Sequence, residues 1–319
     1  MSRRFLLVQR ACRSILDLIG NTPMLHLARI QEAGAGEVHA KIESANPGGS
    51  VKDRIAVGMI EVGEKSGSLR PGGTLVEPTA GNTGIALAMV GGLMGYRVIL
   101  VVPEKFSLEK VALMRGLGAE VVRTPTDQGM RGAIEKARQI VADVEGAWMP
   151  LQFENPGNPD AHYRTTGPEI LDQMDGDLEA VVIGAGTGGT LTGVARYLKE
   201  RLPRMQAILV EPYGSTYGGG ESRPYKVEGI GNAFIPQVLD LKLVDRVITV
   251  KDEDSFATTR LLARREGLLA GGSGGAAVFA AMQVARELGA GARIVTIIPD
   301  SPERYLSKDP FDLENDPGI

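Results

Sequence analysis

Cysteine is nearly missing from this 319-residue chain. Cys12 stands alone, which excludes an intramolecular disulfide framework and any cysteine-rich zinc site. Histidine is almost as scarce. His26, His39 and His162 are scattered along the sequence with no metal-ligand spacing, so no metal site is expected. Basic residues are not in excess: 35 Lys and Arg face 39 Asp and Glu, a net charge of −4, and the electrostatic footprint of a nucleic-acid binder is lacking. No apolar run approaches the roughly 20 residues that span a bilayer, so no membrane partner is expected. The run at 98–102 is strand length. What is left is a globular composition, 43% hydrophobic and 23% charged, long enough for two domains of ordinary size. A reducing cytoplasm is the simplest setting for such cysteine usage. Residues 1–16 hold four arginines and no acid, faintly like a transit peptide. The expectation is an ordinary surface extension, because structure-like sequence follows at once.

Glycine is what the chain has in plenty, 42 residues, clustered in short loops. Glycine loops are where backbone comes close to a ligand. Between these loops, strand-like and helix-like segments alternate. Strands are expected at 74–77, 98–102, 121–122, 180–183, 207–210, 247–250 and 294–298. Helices are expected at 84–93, 107–117 (capped by Ser107), 129–144, 161–174, 190–200, 255–266 and 275–288. Repeated alternation predicts an α/β fold, with parallel sheets covered by helices on both faces. The stretch Glu154-Asn155-Pro156-Gly157-Asn158-Pro159 interrupts the pattern and suggests the crossing between two doubly wound domains. Open sheets of this kind bind ligands beyond the carboxyl ends of their strands.

Four segments carry chemistry. The first is Asn46-Pro47-Gly48-Gly49-Ser50-Val51-Lys52-Asp53-Arg54, a turn leading into an amphipathic run. It puts Lys52 at a helix mouth with Ser50 as the expected N-cap. The positive end of the helix dipole should depress the amine, and a depressed lysine can act as a nucleophile. A capped surface helix that merely carries a lysine explains this stretch equally well. The second segment, Gly184-Ala185-Gly186-Thr187-Gly188-Gly189-Thr190, follows an apolar strand and opens a helix, the arrangement of an anion site. Gly184, Gly186 and Gly189 also satisfy the dinucleotide fingerprint, with Glu211 about 20 residues on, so a nicotinamide or flavin enzyme rivals a phosphate cradle here. The third, Thr79-Ala80-Gly81-Asn82-Thr83-Gly84, offers hydroxyls and an amide at another helix N-terminus and suits a carboxylate. In the fourth, Gly271-Gly272-Ser273-Gly274-Gly275, Ser273 reads as an N-cap.

Taken together, a lysine, a phosphate cradle, a carboxylate cradle and a serine at a helix start resemble the cysteine synthase and cystathionine β-synthase family of fold-type II pyridoxal 5'-phosphate enzymes. The matching stretches are Gly20-Asn21-Thr22-Pro23, 46–54, 77–84, 186–190, Gly229-Ile230-Gly231 and Gly271-Gly272-Ser273, over about 15–308. The resemblance decides against the dinucleotide. It implies a tryptophan synthase β-like fold with a cofactor cleft between a smaller domain (43–155, with a mobile segment at about 98–144) and a larger one (14–42 plus 156–310). Residues 1–13 and 311–319 would be terminal extensions.

By the same resemblance, Lys52 carries the cofactor as a Schiff base and removes the substrate Cα proton. Asn82 would bond the phenolic oxygen. Gly186, Thr187, Gly188, Gly189 and Thr190 would hold the phosphate, and Ser273 would meet the pyridine nitrogen. Thr79, Ala80, Gly81, Asn82 and Thr83, with Gln152, would grip the substrate carboxylate, and Gly229 would line the pocket. The implied reaction is β-replacement on an activated serine: O-acetyl-L-serine plus sulfide giving L-cysteine, or plus homocysteine giving cystathionine. Familiar cysteine synthases have serine where this chain has Ala80, whereas 104–110, 227–231 and 299–301 look closer to cystathionine β-synthases. A non-catalytic relative on the same fold is a rival of another class. The family also implies a homodimer and, for some members, serine acetyltransferase as partner. The tail 315–319 ends in isoleucine, as does the serine acetyltransferase segment that such enzymes accept, but a frayed terminus is the simpler reading.

Overall fold

The computed structural model describes residues 11–79, 81–104, 108–308 and 311. Ala80, Ser107 with its expected cap, most of the N-terminal extension and the tail 315–319 lie outside the described residues.

In chain order the elements are β1 (Met24–His26), β2 (Glu37–Ile42), α1 (Lys52–Lys65), β3 (Thr74–Pro78), α2 (Asn82–Leu93), β4 (Arg97–Pro103), α3 (Leu108–Gly116), β5 (Glu120–Thr124), α4 (Gly129–Asp143) and β6 (Ala147–Trp148). There follow α5 (Gly157–Arg164), α6 (Thr166–Gln173), β7 (Ala180–Gly184), α7 (Gly189–Lys199), β8 (Gln206–Pro212), β9 (Arg246–Val250), α8 (Asp252–Leu261), α9 (Gly272–Leu288) and β10 (Arg293–Ile298). The strands form two sheets. One has four strands in the order β5-β4-β3-β6, and the other six in the order β1-β2-β10-β7-β8-β9. Every pairing is parallel except β1 with β2.

Period-two burial on both faces explains the continuous apolar strands. In β4, Val98, Leu100 and Val102 pack into the core beneath α1 and α2, while Ile99 and Val101 pack into the core containing Ala133 and Ala137 of α4. In β8, Ile208 and Val210 face the α9 side, whereas Ala207 and Leu209 face α7. Sandwiched parallel sheets of this kind match the expected fold class.

Three expectations are corrected. The helix expected at 161–174 is two helices, α5 and α6, separated at Thr165, where the backbone leaves the helical region (φ −126°, ψ −66°). The helix expected at 255–266 starts at Asp252 and ends in a wider π turn over Leu262–Glu266. The strands β1, β2 and β6 were not anticipated: two are only three and two residues long, and β2 alternates charged with apolar residues.

A buried charge network anchors the start of α1. Arg54 donates from Nε to Glu43 (2.7 Å) and from Nη1 to Glu169 (2.7 Å), and Lys41 Nζ lies 2.8 Å from Glu169. Burial works to raise the Glu169 pKa, but the bonds from Arg54 and Lys41 outweigh it and hold it at about 2. Breaking one partner of such a pair leaves a buried charge uncompensated and costs about 3–5 kcal/mol. Arg54 follows Lys52 by two residues, so this network fixes the register in which α1 presents the lysine.

Candidate active site

A cavity lies at the carboxyl ends of β7 and β10, and Lys52 lines it together with Gly186, Thr187, Gly188, Thr190 and Gly229. The lysine and the glycine loop are 134 residues apart at Gly186, and the strand order brings them to one place. Burial pulls the Lys52 amine below its ordinary value, and the nearby Asp300 carboxylate partly opposes that. The helix dipole had been the expected cause; desolvation is the larger one. Ser50 is not the N-cap. Val51 occupies that position in helical conformation, and Ser50 Oγ accepts from the Lys52 N–H at 3.3 Å. The reason is a bridge of Ser50 to Asp300, with Val51 N–H donating to Pro299 at 2.8 Å, which ties the helix start to the end of β10.

The glycine loop has the shape of an anion cradle. Gly188 is the N-cap of α7 at φ +83°, the left-handed region that favours glycine. A Cβ on Gly186 would stand 2.3 Å from the Gly229 carbonyl oxygen, and one on Gly189 2.0 Å from Asn158 Oδ1. Thr187 Oγ1 accepts from Asn158 Nδ2 (3.0 Å) and from Gly189 N–H (3.4 Å), so its own proton is left to donate. Thr190 Oγ1 lies 3.0 Å from His162 Nε2, and His162 Nδ1 lies 2.8 Å from Thr166 Oγ1. Burial keeps His162 well below its usual pKa, so the ring is neutral. Asn232 Nδ2 donates to the Gly186 carbonyl at 2.9 Å and braces the loop from outside. Glu211, the acid a dinucleotide would need, is used elsewhere. It accepts from Tyr217 N–H (2.9 Å), Gly218 N–H (3.2 Å) and Thr249 Oγ1 (3.2 Å).

The second loop joins β3 to α2. Helix α2 begins at Asn82, two residues before the expected start, with Gly81 as N-cap. Thr79 is buried and its Oγ1 accepts from Gly81 N–H at 3.3 Å. Thr83 donates to Gln152 Oε1 at 2.7 Å, which joins the loop to the stretch between the sheets. Glu77, buried at the end of β3, accepts from Leu151 and Gln152 N–H at 3.1 and 3.4 Å; burial pushes its pKa up to about 7. Asn82 has protein partners on both sides. Its Nδ2 donates to Asp300 Oδ2 at 2.6 Å, and its Oδ1 accepts from Arg304 at 2.6 Å.

Asp300 was missed as a site residue. It is 1% exposed, accepts from the Tyr305 hydroxyl at 2.5 Å and from Asn82, and keeps Oδ1 buried without a partner. Burial raises its pKa. A lone acid with one residue between it and an apolar parallel strand was the available signal, since ligands gather at such strand ends. Nearby, Lys110 of α3 pairs with Glu228 (2.8 Å) and lies 4.0 Å above the Tyr305 ring.

Ser273 does not cap a helix. Gly271 is the N-cap of α9, and Ser273 is the second helical residue, buried, with its Oγ 3.9 Å from a Cβ built on Gly229 (φ +88°). Ser273 thus stands in the first turn of α9 beside Gly229, which lines the cavity. The histidines are corrected too: antiparallel pairing of β1 with β2 sets His26 directly opposite His39, with Glu37 beside them.

The donor set fits pyridoxal phosphate: a desolvated amine and a glycine cradle too tight for side chains share one cavity. Residues 15–300 match the family described as pyridoxal-phosphate dependent enzyme. The chain is 46% identical over 294 residues to an O-acetylserine dependent cystathionine beta-synthase of Bacillus subtilis (strain 168), covering 92% of this chain and 96% of that one. It is 45% identical over 303 residues to a cysteine synthase of Staphylococcus aureus (strain N315), covering 94% and 97%. The crystal structure of an O-acetylserine dependent cystathionine beta-synthase from Helicobacter pylori superimposes with a TM-score of 0.89 at 46% identity, covering 94% of this chain and 98% of that one.

Proposed function

This chain belongs to the pyridoxal-phosphate dependent enzymes, and on that footing we propose that it replaces the acetoxy group of O-acetyl-L-serine by sulfide, giving L-cysteine and acetate. The observation that carries the reading is the shared cavity of Lys52 and the 186–190 loop. Pyridoxal phosphate, when bound, supplies an electrophilic carbon for an amine and an electron sink for a carbanion beside it. The chain does the rest. Residues 186–190 would fix the phosphate with backbone N–H groups and the Thr187 and Thr190 hydroxyls. Lys52, its amine depressed by burial, serves as nucleophile and then as the base that takes the substrate Cα proton. Thr79, Gly81, Asn82 and Thr83, with Gln152, would hold the substrate carboxylate at the α2 N-terminus. Ser273 would face the pyridine nitrogen. A hydroxyl does not hold a proton there as a carboxylate would, and this favours loss of a β leaving group over transamination.

Homocysteine is the second acceptor to test, because 227–231 and 299–301 resemble cystathionine β-synthases and the Bacillus subtilis relative is named for that activity. The division into domains at 14–42, 43–155 and 156–310, closure of 98–144 over the substrate, a homodimer, a serine acetyltransferase partner and a cytoplasmic location belong to the same proposal. No helix among the described residues is long and apolar enough to cross a membrane.

The test is the visible spectrum of the purified holoenzyme with O-acetyl-L-serine and with L-serine, followed by product analysis with sulfide and with homocysteine. A spectral change with O-acetyl-L-serine alone, and cysteine formed faster than cystathionine, is the expected result. A change with free serine would overturn the donor, and faster cystathionine formation the acceptor.

A further inference from the structure

We propose that His26, Glu37 and His39 form a zinc-binding site at the edge of the six-stranded sheet, remote from the cofactor cavity. The strand geometry makes the case. Glu37 and His39 are two apart on β2 and therefore project from the same face. His26 is the register partner of His39 on the antiparallel neighbour β1, so its side chain joins them. The two imidazole rings stack with centroids 4.8 Å apart and planes inclined by 18°. Glu37 Oε2 lies 3.1 Å from His39 Nε2. One ligand atom from each of the three residues falls within 4.8 Å of the others.

Two imidazoles and a carboxylate are a donor set for zinc, which binds nitrogen and oxygen at about 2.0–2.2 Å. Ligands on a common tetrahedral ion stand about 3.4 Å apart at those bond lengths, so the three donors must draw together and one imidazole must turn out of the stack to aim its lone pair at the ion. An i, i+2 pair on one strand with a third ligand on its neighbour presents three donors to one side and leaves the fourth position open. Gln31 is the protein group at hand for it, with Oε1 3.0 Å from His26 Nε2; water is the other. Access is open, because the Glu37 side chain is 43% exposed and that of His39 13%. Arg293 is the nearest cation, in register with Glu37 on β10. Its guanidinium is engaged by the Met174 carbonyl at 2.9 Å and by Asp177 at 3.5 Å. The ion would pin β1, a three-residue edge strand, to β2. It would act on stability rather than on the reaction.

The experiment titrates zinc chloride into chelator-treated holoenzyme by calorimetry and measures melting temperature and turnover in parallel. One ion per chain is expected, with a melting temperature that climbs with zinc and turnover unchanged. His39→Gln and His26→Gln should each weaken binding by more than the roughly 10–100-fold typical of losing an outer-shell partner. Glu37→Gln should weaken it less, since the amide oxygen remains a donor. Zinc-edge absorption should show a nitrogen and oxygen shell that includes imidazole. Two outcomes overturn the site: zinc affinity unchanged in both histidine variants, or a sulfur shell that assigns the metal to the exposed Cys12. Should a variant fold poorly, the absorption spectrum of the unaltered holoenzyme still decides.

Discussion

One wall of the proposed site, residues 186–190, is shaped by backbone contacts and neutral donors; the other, Thr79 with residues 81–83, is wired to charged side chains from late in the chain. The first wall depends on Gly186 against the Gly229 carbonyl, Gly189 against Asn158, and hydroxyls braced by a neutral His162. The second depends on Asn82 between Asp300 and Arg304, and on Glu77 beneath Gln152. A wall without ionised side chains holds its shape at any moderate pH. A wall built on buried acids answers to protons and to whatever charge the substrate brings. On the proposed assignment the first wall holds a group that stays through turnover and the second an amino acid that must leave, so the two constructions suit two different residence times.

Lys52 lines the cavity beside the first wall, and its loss is the largest effect expected. Lys52→Ala should lower turnover by about 10³-fold or more, within the range ascribed to removing a general base and nucleophile. Its melting temperature without cofactor should stay close to that of the unaltered protein, because the start of α1 is held by backbone bonds and by Arg54, not by the amine. A variant that unfolds instead would show that the lysine is part of the scaffold.

Next in size is a paired glycine test. Gly186→Ala forces a Cβ against a backbone carbonyl and should cost about 1–3 kcal/mol by overpacking, with the cofactor lost on dialysis. Gly81→Ala on the other wall meets only Lys110, at 3.6 Å, and Gly81 is already extended (φ −169°). That variant should fold and keep its cofactor, with the change confined to KM for the amino acid. Equal cofactor loss in both would erase the distinction between the walls.

The same difference explains what could be read in advance. The 186–190 wall is contiguous: strand, glycines and helix follow one another within Ala180–Gly184 and Gly189–Lys199, so the local pattern shows an anion loop, although only the resemblance to a family chooses a phosphate over a dinucleotide. The substrate wall was legible only in its loop. Its support comes from Asp300 and Arg304, 218 and 222 residues beyond Asn82, and no spacing rule links residues so far apart. Ser50 and Ser273 read as caps from sequence because the motif fits any helix start, whereas the observed caps, Val51 and Gly271, are set by contacts to Pro299 and Asp300. The histidine pair failed for the same reason: β1 is too short to read, and without it nothing places His26 against His39.

A smaller effect is expected from pH. Glu77 has a folded pKa of about 7 against an ordinary 4.5. Between those values the unfolded chain gives up this proton while the folded one keeps it, so stability falls as pH rises. The contribution is fully present below about pH 4.5 and gone above about 7, at most about 3 kcal/mol for this shift. Glu77→Gln removes that dependence. Melting curves at pH 5 and pH 8 should show the variant gaining on the unaltered protein at the higher pH. Glu169, held at about 2, works with the opposite sign and only below about pH 4.5, so it does not mask the effect. A constant gap between the two proteins from pH 5 to 8 would mean that the two N–H bonds from Leu151 and Gln152 keep Glu77 ionised throughout.

The smallest effect is expected at Ser273, a neutral group on the phosphate side of the comparison. Ser273→Ala removes one hydroxyl from the first turn of α9 and should lower turnover less than about tenfold, since a net hydrogen bond is worth about 0.5–1.5 kcal/mol. Cofactor should remain bound, because the proposed phosphate contacts lie at 186–190, ahead of and at the start of α7. Ser273→Asp is the informative partner. A carboxylate at that position would hold a proton on the pyridine nitrogen and deepen the electron sink, and the chain would then tolerate side reactions that reprotonate the cofactor instead of expelling the leaving group. The expected readout is a rise in transamination product per cysteine formed. If both variants merely slowed turnover with the product ratio unchanged, Ser273 would be a packing residue at the cavity wall, and the preference for β-replacement would have to come from the substrate wall instead.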